Sequence, residues 1–282
     1  MRGSYLRQDT IYIENFILLC CNISIMIHTN GAVIMRELIL KYPSKWPSAL
    51  LNFLKHNQSI FHKWENDRNN VSVIEFEIKY HELRRILNLY YLVGWHCTRL
   101  TDYEIINIKT YGMVTPSLDF LSKRIENLIE LGEITEKFGE IFKNSNRYQE
   151  KNNTHNIWFQ FDEPNTLDED ANYRLLRRWG GEALYSEHED DKERNDILEK
   201  IGHPCVIFAR IPIKFLCKDG SITQKVYKIF LNYTNKRRTR QCELEDSLIQ
   251  NLPNQYITHI YKYPDKDFLE ITGCEKWKKH LY

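Results

Sequence analysis

The sequence predicts an α+β chain: a split, mixed and largely antiparallel β core with inserted helices, preceded by a smaller N-terminal α/β segment. Three observations carry this. Short apolar or alternating runs bounded by turn residues recur along the chain, as strands do. Stretches with helical apolar spacing stand between some of them, without the regular strand–helix alternation of a doubly wound sheet. Hydrophobic residues make up 42% and charged residues 27% of 282, enough to bury a core and too apolar for disorder.

The first segment covers residues 1–84. Residues 11–27 read as a strand, with Asn30-Gly31 as a hairpin turn before Ala32-Val33-Ile34. Pro43 and the residues after it open a helix to about His56, with Ala49, Leu50, Leu51, Phe53 and Leu54 as its apolar stripe. Residues 67–70 form a loop, and residues 71–80 alternate as a strand. Trp46, Phe61 and Trp64 read as core rather than as a ligand box.

The second unit, residues 85–282, is built around Val93-Gly94-Trp95-His96-Cys97-Thr98-Arg99-Leu100. The apolar, aromatic Tyr90-Tyr91-Leu92-Val93 starts a central strand, and its end delivers His96, Thr98 and Arg99. Thr101-Asp102-Tyr103-Glu104 is a capping box, opening a helix that stops at Gly112. A polar strand end feeding a helix N-terminus is good geometry for an anion or a nucleotide. On these residues alone, a solvated strand end with a satisfied histidine fits equally well.

Further on, Leu118, Leu121, Ile125, Leu128 and Ile129 mark a helix ended by Gly132, and a polar helix fills 133–144. Residues 157–161 form a short buried strand, and 171–179 a helix broken by Gly180-Gly181. Residues 205–213 are continuously apolar, hence a central strand; residues 225–233 alternate as another, and residues 252–261 hold the last clear one. Residues 262–282 read as a polar tail.

A formal charge of +1 leaves no global field to draw the chain to nucleic acid or membrane, so any such attraction is local. Seven scattered cysteines, with no CxxC and no zinc spacing, read as buried thiols in a reducing cytoplasm, and no metal is expected. The apolar run at 16–27 is too short to span a bilayer. No GxGxxG, Walker loop, GxSxG or HExxH occurs, which excludes the commonest nucleotide and hydrolase folds.

The order of elements nonetheless resembles the ADP-ribosyltransferase superfamily, on its diphtheria-toxin and poly(ADP-ribose) polymerase side with a His-Tyr-Glu constellation. The likeness runs over about residues 90–265: a strand ending His96-Cys97-Thr98, a later Ile157-Trp158-Phe159, Tyr173 in Ala171-Asn172-Tyr173, and Pro253-Asn254-Gln255-Tyr256-Ile257. It implies that His96 and Thr98 hold the ribose of NAD, that Trp158 and Phe159 line the site, and that Tyr173 stacks on nicotinamide. Cys97 stands where the family usually has glycine, and Gln255 where it has the catalytic Glu.

Gln255 can position a hydroxyl but brings no charge. Glu182, after two glycines and beside Tyr185, is the better acid, although a surface-capping role fits it as well. Arg99 could pair with the pyrophosphate or with a nearby acid such as Asp102. The basic loop Lys236, Arg237, Arg238 and Arg240 could receive a nucleic-acid acceptor through phosphate contacts. The expectation is a toxin- or defence-like mono-ADP-ribosyltransferase acting on a protein or nucleic acid. NAD hydrolysis, RNA 2′-phosphotransfer and non-catalytic nucleotide or protein binding are the alternatives. Residues 1–84 are expected to occlude the site or to bind a partner, including an inhibitory one.

Overall fold

The computed structural model describes residues 36–148, 150, 156–166, 169–216, 221–235 and 244–281. The strand and hairpin expected at 11–34, the basic loop at 236–240, and Cys20, Cys21, Cys217 and Cys242 lie outside the described residues.

In chain order, β1 (Arg36–Leu38) is followed by α1 (Ser48–His56), α2 (Gln58–Asn66) and α3 (Val73–Leu87). Then come β2 (Tyr90–Leu100), α4 (Asp102–Tyr111), α5 (Leu118–Glu130), α6 (Glu136–Asn144) and β3 (Ile157–Gln160). Helices α7 (Glu169–Arg177), α8 (Glu182–Tyr185) and α9 (Lys192–Lys200) lead to β4 (His203–Pro212). The chain continues with α10 (Ser221–Asn235), β5 (Glu245–Leu248), β6 (Ile257–Lys262) and α11 (Lys266–Thr272). The described fold is therefore mixed α+β, with one six-stranded sheet ordered β5-β3-β2-β4-β6 and β1 lying beside β2. Among the described residues only the β1–β2 pairing is parallel.

The sheet is uneven. β2 and β4 pair at every position from Tyr91↔Pro212 to Leu100↔His203, whereas β2 and β3 pair only at Trp95↔Gln160. Beyond that point β3 stays with β5 and parts from β2. Gly94 allows the close approach at this seam: a Cβ there would lie 2.6 Å from Ile211 Cδ1 and 3.2 Å from Phe159 Cδ1.

Two stretches expected as strands are helices. Residues 73–80 of this stretch belong to α3, where the spacing Phe76, Tyr80, Leu83, Leu87 packs inward and the alternating Ile74 and Ile78 face solvent. Ser72 caps it by accepting from the Glu75 amide at 3.4 Å. Residues 225–233 lie in α10, which buries Ile222, Val226, Tyr227, Phe230 and Leu231. The last strand is shorter than 252–261: a 3-10 turn at Asn254–Tyr256 precedes β6. The tail is not merely polar, because α11 and the residues after it bury Phe268, Cys274 and Leu281. The division at 84/85 falls inside α3, and one core joins Leu50, Phe61 and Leu83 to Leu92, Ile207 and Phe230.

Candidate functional site

Neighbouring side chains on β2 leave by opposite faces. His96 and Thr98 share the face of Phe159, Ile207 and Ile260; Ile207 pairs with His96, and Ile260 with Ile207 one strand further on. Trp95, Cys97 and Arg99 take the other face, where α7 and α11 cover them.

His96 is half-buried at the point where β3 leaves β2. Its Nδ1 donates to the Trp158 carbonyl at 2.7 Å, and its ring stands 5.7 Å from the Phe159 ring. A carbonyl only accepts, so the proton sits on Nδ1 and Nε2 keeps its lone pair, with no hydrogen-bond partner among the described residues. Burial lowers the imidazole pKa most; the Trp158 carbonyl opposes this and the Arg124 guanidinium adds to it. The result is a neutral, oriented imidazole with a free acceptor. Thr98, half-buried two residues on, offers a hydroxyl on the same face.

Beside this strand end lies a polar network that the sequence does not advertise. Glu104, already the reciprocal member of the Thr101 capping box, receives Arg124 Nε at 2.5 Å, Trp179 Nε1 at 3.1 Å and the Thr101 amide at 2.8 Å. Arg124 also sits 4.3 Å over the Trp179 ring and pairs with the Tyr148 hydroxyl. Tyr148 in turn donates to the Gly180 carbonyl at 2.8 Å. The chain then turns at Gly180 (φ 90°) and Gly181 (φ 71°), a left-handed pair only glycines adopt cheaply. Glu182 emerges exposed as the first residue of α8. Tyr185 is buried beneath it, with the Arg178 guanidinium 5.3 Å from its ring. Only Glu104 and the Gly-Gly break carry a local signature. Arg124, Tyr148 and Trp179 meet through contacts far apart in the chain.

Other expected site residues are not with His96. Arg99 is 1% exposed and donates to the Ile201 carbonyl at 2.6 Å and the Leu176 carbonyl at 3.4 Å. It holds the C-terminal ends of α7 and α9 and does not face a pyrophosphate on the His96 side. Tyr173 lies on α7 among Trp95, Cys97 and Val206, so it cannot stack on a ring held by His96. Gln255 is exposed beside β6, two strands over and five residues from Ile260, the neighbour of Ile207. At about 4.8 Å per strand and 3.3 Å per residue, that is roughly 15–20 Å from His96. The Trp158 side chain is 40% exposed, whereas Phe159 is fully buried as the wall behind His96.

Cys97, Cys205 and Cys274 are buried free thiols, the first two pushed up to about 12 by burial. Cys97 donates its thiol to Asn172 Oδ1 at 3.5 Å. Among the described residues no His, Cys, Asp and Glu group could hold a metal, and no helix is long and apolar enough to cross a membrane. No family model matches the chain, and neither a curated protein nor a solved structure matches it.

Proposed function

We propose that this chain binds NAD at the parting of β2 and β3 and transfers ADP-ribose to a protein or nucleic acid, as a toxin- or defence-like enzyme of the cytoplasm. The observation that supports it is His96: neutral, fixed by the Trp158 carbonyl, and open at Nε2. Such a nitrogen accepts from a ribose hydroxyl, and Thr98 supplies a second hydroxyl contact on the same face. Cleavage of the nicotinamide–ribose bond develops positive charge on the ribose, which a carboxylate stabilises. Glu182 is the acid assigned to that task. Its glycine turn is tied through Tyr148 and Arg124 to Glu104, in the capping box that directly follows β2, whereas Gln255 stands beside the far edge strand. The basic residues Lys236, Arg237, Arg238 and Arg240 would meet the acceptor.

A second reading, a nucleotide-binding module without transfer, draws support from the charge around His96. Among the described residues, the charged group bearing on it is Arg124 and not a carboxylate. Incubation with NAD labelled in its adenylate half, with and without cell lysate, separates the readings. Labelled macromolecule that disappears in both His96→Ala and Glu182→Gln supports transfer, and protease or RNase treatment then identifies the acceptor. NAD binding lost in His96→Ala, with neither label transferred nor nicotinamide released, supports the module. Free nicotinamide without labelling points to hydrolysis. Transfer unchanged in both variants would sink the assignment of the site.

A further inference from the structure

At the opposite side of β4 from β2, β6 ends the sheet and, among the described residues, is paired along one edge only. Helix α4 runs alongside it, matched in length and opposite in direction. Asp102 at the start of α4 holds Lys262 at the end of β6, at 2.7 Å. Asn254, just before β6, donates to the Lys109 and Thr110 carbonyls at the end of α4, at 3.3 and 2.8 Å. Between them lies a cleft of about 200 Å³ lined by Lys109, Asn254, Ile257, Thr258, His259 and Ile260. Phe208 pairs with His259 and Ala209 with Ile257, so Thr258 is the extra residue of a bulge and leaves the ladder at the cleft.

The charge in this groove is one-sided. Lys262 is neutralised by Asp102, whereas Lys109, exposed at the other end, makes no ion pair among the described residues. Nor does β6, Ile-Thr-His-Ile-Tyr-Lys, contain an acid with which a second copy could answer Lys109. We infer that the groove between β6 and α4 takes up an extended acidic peptide of another protein as a seventh strand. The main-chain groups on the open edge of β6 bind its backbone, and Lys109 receives its carboxylate. This groove works independently of NAD.

The full chain is titrated by fluorescence anisotropy with ten-residue peptides of alternating Val and Thr carrying a central Glu, Gln or Lys. The Glu peptide binds tightest and slows amide exchange over residues 259–262. Lys109→Glu, an exposed change that leaves the fold intact, reverses the order of the Glu and Lys peptides by about fivefold each way, the size of one charge pair. The Glu peptide N-methylated at alternate residues does not bind, because it cannot join a ladder. Equal binding of the Glu and Lys peptides, or undiminished binding of the N-methylated one, overturns the inference. So does a dimer in sedimentation velocity that protects residues 259–262, which would give the groove to a second copy.

Discussion

The two faces of β2 are made from alternate residues of one strand, and they are finished in different ways. On the face of Trp95, Cys97 and Arg99, helix α7 and the C-terminal residues close over the strand. Its polar side chains Arg99 and Cys97 are spent on the protein itself: the Arg99 guanidinium on two carbonyls, the Cys97 thiol on Asn172. On the face of His96 and Thr98, the sheet parts at a single residue pair and one imidazole nitrogen is left open. A closed polar group stabilises the fold, and an open one is available to a ligand. His188 sharpens the contrast. It is 1% exposed, donates from Nε2 to the Ser145 carbonyl at 2.9 Å, and has a buried Nδ1 without a partner.

The largest effect is expected on the closed face. Arg99→Ala leaves two carbonyls unsatisfied over a cavity and lowers stability by about 3–4 kcal/mol in urea unfolding. A loss under about 1 kcal/mol would mean that this face is not held as described. Next comes the network beside the strand end: Glu104→Gln weakens the contacts to Arg124 and Trp179 and costs about 2 kcal/mol, read from the same unfolding midpoint. An unchanged midpoint would show that the glycine turn stands without it.

The pH dependence separates the histidines. His96, His188 and His203 all have pKa values lowered chiefly by burial. The unfolded chain therefore takes up protons below about pH 6.5 that the folded chain refuses. This stability is fully present above pH 6.5 and is lost as pH falls toward the lower folded values, by at most about 1.4 kcal/mol per pH unit for each histidine. The depressed carboxylates Asp102, Asp170 and Asp196 act below this window. Replacing His188 or His96 by Gln should each flatten the loss between pH 6.5 and 5, and two unaltered slopes would refute the assignment. The smallest effect is that of Gln255→Ala, within about 0.5 kcal/mol by thermal melting and without influence on NAD binding. A loss of NAD binding in that variant would return Gln255 to the site.

Much of the architecture was legible where local chemistry and burial agree. The β2 strand, the capping box of α4 and the Gly180-Gly181 turn stand where their residues indicate, and three helices separate β2 from β3. α3 and α10 were misread because their apolar residues happen to satisfy a period of two over nine or ten positions. For α3 the signal lay in plain view: Ser72-Val73-Ile74-Glu75 is a cap followed three residues later by an acid, and Phe76, Tyr80, Leu83 and Leu87 follow at helical spacing. The expected site dispersed for a related reason. Motifs matched along the chain say nothing about side, and Tyr173 and Gln255 took their places on the wrong face and the wrong edge.

By itself, then, the sequence determined that His96 and Thr98 part company with Cys97 and Arg99, because a strand alternates whatever surrounds it. Which of the two sets is left open was decided only by tertiary structure. The carbonyls that capture Arg99 come from residues 77 and 102 positions further along. The carbonyl that orients His96 comes from 62 positions away. No local propensity encodes those meetings. They follow from packing α7 over one face of β2 while β3 turns away beside the other.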